Sequence, residues 1–151
     1  MKKEIFALLA AGTLVFSLSA CSGGPASYKD GTYEGQSSMY EDLESEDENG
    51  GGNGYGVVTI TIKDNEIVDC EYLTYELDGT LKDEEYGKHN GVVTNADWYN
   101  KAQKAVRASA AYAEQLKETG SLDEVEAISG ATISYNLFGE AVEAALDSAK
   151  E

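Results

Sequence analysis

The sequence predicts an α+β domain in which helices pack against a small antiparallel sheet. Three observations predict it. Val57 to Ile62 and Ile67 to Tyr75 are two runs rich in β-branched residues, joined by a short polar turn, and Val58, Ile60 and Ile62 alternate onto one face. Trp98, Ala102, Ala105, Ser109, Tyr112 and Leu116 recur at alternating four- and three-residue steps, which is one face of a helix. Phe138, Val142, Ala145 and Ala149 repeat that spacing near the end of the chain. Strand patterns come first and helix patterns last, with no internal repeat, and that order argues for one α+β domain.

Residues 1–20 read as a secretory signal. Lys2 and Lys3 form a basic start, and Ile5 to Ala20 is an apolar run that ends in small residues. The run is short for a membrane span, which needs about 20 apolar residues. It leads into Leu18-Ser19-Ala20-Cys21, which resembles the bacterial lipobox. The resemblance implies that Cys21 carries lipid, becomes the mature N-terminus, and anchors the protein to the outer face of the bacterial cytoplasmic membrane. A signal with a chance cysteine, or an uncleaved anchor, are the other readings. Residues 21–30 are then a short tether, and residues 31–151 the domain.

Asp30-Gly31 signals a turn, and Thr32-Tyr33 favours a strand. Glu41 to Gly54 is acidic and then glycine-rich, with little to bury, and reads as a loop. EF-hand spacing fails there: with Gly50 as the invariant glycine, the first ligand would be Ser45 and the twelfth Gly56. Asp64-Asn65 tolerates the left-handed geometry of a hairpin turn. Leu77 to Asn95 is polar and irregular, and His89 within it is the chain's one histidine. One histidine builds neither a catalytic triad nor a metal centre. The next helix is expected over Asp97–Glu118, with Asp97 at its start and Gly120 ending it. Trp98 and Tyr112 on its apolar face read first as core and second as neighbours of a ring.

The net charge is −17, and removing residues 1–20 leaves 9 basic and 27 acidic residues, or −18. That balance excludes a nucleic-acid partner, since phosphate backbones need basic patches. It favours solubility and repulsion from anionic surfaces. Of the two cysteines, Cys21 is assigned to lipid, so Cys70 lacks an intramolecular partner and reads as a small core residue.

The stretch Glu126-Ala127-Ile128-Ser129-Gly130-Ala131-Thr132-Ile133-Ser134 carries the chemistry. Ser129 and Gly130 form turns, and Thr132 and Ser134 are hydroxyl residues of the helix-capping type. The turn therefore presents a threonine hydroxyl at a helix N-terminus, where free N–H groups and the positive dipole end suit a phosphate.

Ser129-Gly130-Ala131-Thr132, with an acidic residue three positions before it, resembles the flavinylation site of FMN-binding domain proteins. These include the C subunit of the sodium-pumping NADH:quinone oxidoreductase, the G subunit of the Rnf complex and extracellular flavin lipoproteins. Asp30-Gly31-Thr32-Tyr33 and the hairpin around Lys63-Asp64 and Glu66-Ile67-Val68-Asp69 are similar to the family's opening strand and central hairpin. The resemblance implies an FMN-binding domain type of fold, and FMN joined through its phosphate to Thr132 by a separate FAD-dependent flavin transferase. Ser129, Gly130, Ala131 and Ser134 would shape the turn and offer groups to the phosphate. Glu126, standing where the family usually has Asp, would be read by the transferase. Tyr135 and Phe138 are the candidates for ring contact. The function implied is electron transfer between an unknown donor and acceptor outside the cytoplasm, with no catalytic residue in the protein itself. The alternatives are a lipoprotein that binds FMN or another small molecule noncovalently, as a sensor or capture module, and a structural lipoprotein whose turn only caps a helix.

Overall fold

The computed structural model describes residues 26–44 and 52–150. The signal segment, Cys21 and the acidic stretch 45–51 lie outside the described residues.

Three strands, β1 (Gly31–Gln36), β2 (Tyr55–Lys63) and β3 (Glu66–Tyr75), form one antiparallel sheet in the order β1-β2-β3. Tyr33 stands opposite Ile60, and Ile60 opposite Cys70. Asp64 and Asn65 take φ of 52° and 66°, the two left-handed positions that let a two-residue turn match the twist of its strands. Strand alternation sends Val58, Ile60 and Ile62 of β2 and Cys70 and Tyr72 of β3 to one buried face. Two helices cover that face: α1 (Ala96–Thr119) and α2 (Thr132–Ala149).

Helix α1 is capped by Asn95, whose Oδ1 accepts the Trp98 N–H at 3.0 Å, while Asp97 sits in the first turn, where its charge meets the positive dipole end. Gly120 ends the helix at φ 70°, and its N–H donates to Leu116 O at 2.8 Å. The apolar stripe of α2 is fully buried at Phe138, Val142, Ala145 and Ala149. Tyr112 of α1 stacks on Phe138 at 5.8 Å, and Tyr72 of β3 leans on the same ring at 4.9 Å. This aromatic layer joins both helices to the sheet.

Cys70 is a free, buried thiol in this core, as its strand pattern implies. Burial, helped by Asp69, Glu114 and Glu71, pushes its pKa up to about 12, so it stays a thiol at neutral pH. Strand β1 lies directly on α2: a Cβ on Gly35 would collide with the Ala141 carbonyl and the Ala145 N–H. The segment between β3 and α1 is irregular. It doubles back along the end of β3 through a bridge between Tyr75 and Leu81, and that return brings Lys82 beside the sheet. No helix of the described residues is long and apolar enough to cross a membrane.

Candidate functional site

The turn before α2 is held open at its tip and closed at its base. Gly130 takes φ 80°, a left-handed conformation that glycine adopts without Cβ strain. The Ala131 N–H donates back to Ile128 O at 3.0 Å. The Tyr112 hydroxyl closes the base from the core: it accepts the Ile128 N–H at 2.9 Å and donates to Ala131 O at 3.2 Å. Ser129, Gly130 and Thr132 are left exposed at the tip.

The N-cap of α2 is Ala131, not a hydroxyl residue. Its methyl group makes no cap hydrogen bond, and the first turn holds no carboxylate. Thr132 is the first helical residue, so its hydroxyl is presented beside the cap rather than consumed in it. The first helical bond runs from the Tyr135 N–H to Ala131 O at 3.0 Å. The N–H groups of Thr132, Ile133 and Ser134 precede it and have no intrahelical acceptor. An uncapped helix N-terminus of this kind suits a phosphate.

A cavity of about 320 Å³ opens beside Thr132. Trp98, Ala102 and Ala105 of α1 form one wall, and Thr132, Ile133 and Leu137 of α2 another. Thr74, Lys82 and Tyr86 complete it from the sheet end and the irregular segment. Tyr86 and Trp98 meet edge to face at 6.4 Å. The indole Nε1 of Trp98 is buried and is the one such side-chain atom without a partner among the described residues. A buried donor left unpaired costs about 1–3 kcal/mol.

The site also gathers cations. Lys82 and Lys101 line the cavity, and the Lys104 ammonium lies 3.2 Å from where a Cβ on Gly130 would stand. Three of the chain's 11 cationic residues thus gather at this cavity and its turn, in a molecule with 28 acidic ones. A second, more polar cavity backs onto Tyr86 and Trp98, but Glu76, Asp78, Asp83 and Glu85 line it, so it repels a phosphate.

The residues named from the sequence divide accordingly. Gly130, Ala131, Thr132 and Ser134 border the cavity, and Ser129 adjoins it in the turn. The Ser134 hydroxyl is engaged with Ser109 Oγ at 3.0 Å, and its carbonyl accepts from the Tyr72 hydroxyl at 2.9 Å, so it fastens α2 to α1 and the sheet. Glu126 is exposed outside the cavity, its N–H donating to Gln115 Oε1 at 2.7 Å. Phe138 is fully buried in the core, and Tyr135 donates its hydroxyl to Val125 O at 3.2 Å; neither lines the cavity. Of the two aromatic residues on the α1 face, Tyr112 is core and Trp98 is cavity wall. His89 is exposed, and the described residues hold no cluster fit to bind a metal.

Sequence reasoning missed Lys82, Lys101 and Lys104. Their scarcity was the available signal, since Trp98, Lys101 and Lys104 follow one another at three-residue steps on a predicted helix. The arrangement fits an FMN group. The open helix end and Lys104 suit its phosphate, and the aromatic wall suits a flat ring.

The fold is similar to a crystal structure of a Clostridium perfringens protein, 20% identical, covering 81% of this chain and 88% of that one, with a TM-score of 0.56. A solution structure from Clostridium thermocellum is 23% identical over 80% of this chain and 92% of that one, with a TM-score of 0.39. No curated protein matches the chain. The family model described as the FMN-binding domain matches residues 51–147, a span that includes β2, β3, α1, the turn, nearly all of α2 and every residue lining the cavity. The chain belongs to the FMN-binding domain family.

Proposed function

We propose that the protein is an extracytoplasmic electron carrier that holds FMN by a phosphoester on Thr132. The observation that carries this reading is the placement of an exposed threonine hydroxyl on an uncapped helix N-terminus, at the mouth of an aromatic cavity. When bound, FMN exchanges one or two electrons, so it can join a two-electron donor to a one-electron acceptor. The protein supplies position. The N–H groups at the start of α2 and the ammonium of Lys104 hold the phosphate, Gly130 gives the turn its shape, and Trp98 and Tyr86 bound the ring. A separate FAD-dependent flavin transferase would form the bond between Thr132 Oγ and phosphorus, reading the turn from its exposed side, where Glu126 also stands. The apolar N-terminal run and Cys21 support export and lipid anchoring at the outer face of the cytoplasmic membrane, where noncovalently held flavin would be lost. Donor and acceptor would then be membrane or extracellular redox partners.

The test is intact mass after co-expression with an active flavin transferase. An increase equal to FMN minus water, mapped to the peptide that holds Thr132 and absent in Thr132→Ala, is the expected result. An unmodified wild type that still retains FMN would favour noncovalent binding in the cavity. An unmodified, colourless wild type would sink the flavin reading.

A further inference from the structure

Lys82 is a half-buried cation with no carboxylate within ion-pair distance. Its N–H donates to Thr74 O at 2.8 Å, which fixes it to the end of β3. Its ammonium lies 4.8 Å from the centre of the Tyr86 ring and donates to Gly52 O at 3.1 Å and Asn53 O at 2.6 Å. The ion pairs among the described residues join Lys88 to Glu85, Lys117 to Asp69 and Lys150 to Asp147; Lys82 is in none. Neutral carbonyls and a ring face offset only part of the cost of desolvating an ammonium. Glu76 is the one carboxylate that acts on this cation, from beyond ion-pair distance, and on its other side the cation lines the cavity that Thr132 borders.

We propose that Lys82 sets the reduction potential of the flavin, its ammonium stabilising the negative charge that reduction leaves in the cavity. The inference rests on the reading that FMN is held at Thr132. Uptake of two electrons and one proton leaves one negative charge, and no bond to Lys82 forms or breaks. A cation at a partly enclosed site interacts with such a charge more strongly than it would in water. Charge placed near the ring is one of the means by which a protein tunes a flavin. Lys82 thus makes the carrier a better oxidant than the same ring on an uncharged wall.

A proton is coupled to this effect. Burial pushes the Lys82 ammonium down to about 8, against the opposing pull of Glu76. The charged and titratable groups around it are Glu76 after β3, Tyr86, whose phenol burial holds up to about 12, and Lys101 of α1; Gly52 and Asn53 offer only backbone. In the flavin-free site the ammonium loses its proton near pH 8, and an oxidised, neutral ring adds no charge to hold it. With the flavin reduced, the added negative charge holds that proton to higher pH. One extra proton is therefore taken up per electron pair above that pH.

The test is spectroelectrochemical titration of the full chain, flavinylated in cells that supply the transferase and purified in detergent. Dithionite is the reductant and soluble dyes are the mediators. Lys82→Met should lower the midpoint by at least about 30 mV, a tenfold loss in the reduction equilibrium of a two-electron couple. Lys82→Arg should restore most of it. The wild-type midpoint should fall more steeply with pH above about 8, and Lys82→Met should lose that steepening. A Lys82→Met protein that carries flavin by mass and keeps the wild-type midpoint overturns the inference while leaving the carrier reading intact. If Lys82→Met fails to fold or load, Lys82→Gln decides: a flavin-loaded Lys82→Gln protein with the wild-type midpoint overturns it. A wild type that takes no flavin removes both.

Discussion

Tyr112 shows how one hydroxyl can hold a turn in shape. The residue is fully buried, yet its oxygen serves both ends of the turn before α2, taking the Ile128 N–H and giving to Ala131 O. Between these two backbone groups lie Ser129 and Gly130, so the tip of the turn is exposed because its base is closed. Tyr112→Phe keeps the stacking on Phe138 and removes only the oxygen. It leaves the Ile128 N–H and Ala131 carbonyl without this partner, and should cost about 1–3 kcal/mol. Urea denaturation should show a lower midpoint at unchanged slope. Loading of Thr132 by the transferase should slow in the same variant, because the turn loses its fixed base. An unchanged midpoint with unchanged loading would mean that the turn is held by Gly130 and the Ala131–Ile128 bond alone. The sequence places Tyr112 in the core through helical spacing, and the structure agrees. It could not show what the hydroxyl does, because periodicity tells which face a residue occupies and not which distant backbone group it meets.

The elements are held by close approach as much as by apolar area, and two glycines separate the effects. Gly35 of β1 lies against the backbone of α2, with no room for a Cβ. Gly35→Ala must push the strand off the helix or open the β1–β2 ladder. A cost of about 1–3 kcal/mol, the usual penalty for overpacking, is expected from thermal or urea unfolding. Gly139 sits within α2, and a Cβ there would meet nothing within 4 Å. Gly139→Ala should stabilise the domain by up to about 1 kcal/mol through helix propensity. Opposite signs from the same chemical change would establish that contact with β1, rather than glycine content, limits α2. At this scale the sequence was most readable. The hairpin, both helices and the Gly120 stop follow from alternation, helical spacing and turn chemistry, because each of these signals is local. The start of α2 was blurred for the same reason: Thr132 and Ser134 look like caps, but Ala131 occupies the cap because the turn is fixed from outside by Tyr112. The cavity was not legible, since its wall combines Thr74, Lys82, Trp98 and Thr132 from four separated segments.

For the whole molecule the governing quantity is charge. A net −17 on 151 residues places many carboxylates near one another with few cations between them. The three ion pairs of the described residues each include an exposed partner, and such pairs contribute about 0–1 kcal/mol. Salt therefore has little attraction to weaken and much repulsion to relieve. Self-repulsion of like charges destabilises a compact state, and at 0.1 M salt it is screened beyond about 10 Å. Raising sodium chloride from about 0.01 M to about 0.5 M should lift the Tm of the unmodified domain by a few degrees, the response expected of a domain this size to about 1 kcal/mol. Local attractions act differently. The Ser38 N–H and hydroxyl both donate to Glu140 and hold its carboxyl below the usual range. That contribution is present above the unfolded carboxylate pKa and is lost as pH falls through the lowered folded value, whatever the salt. Acidification therefore mixes relief of repulsion with loss of this contact, whereas salt at constant neutral pH isolates the repulsion. A Tm that falls with salt would show that short-range pairs hold the fold. A rising Tm would show that the acidic surface is tolerated at a cost in stability.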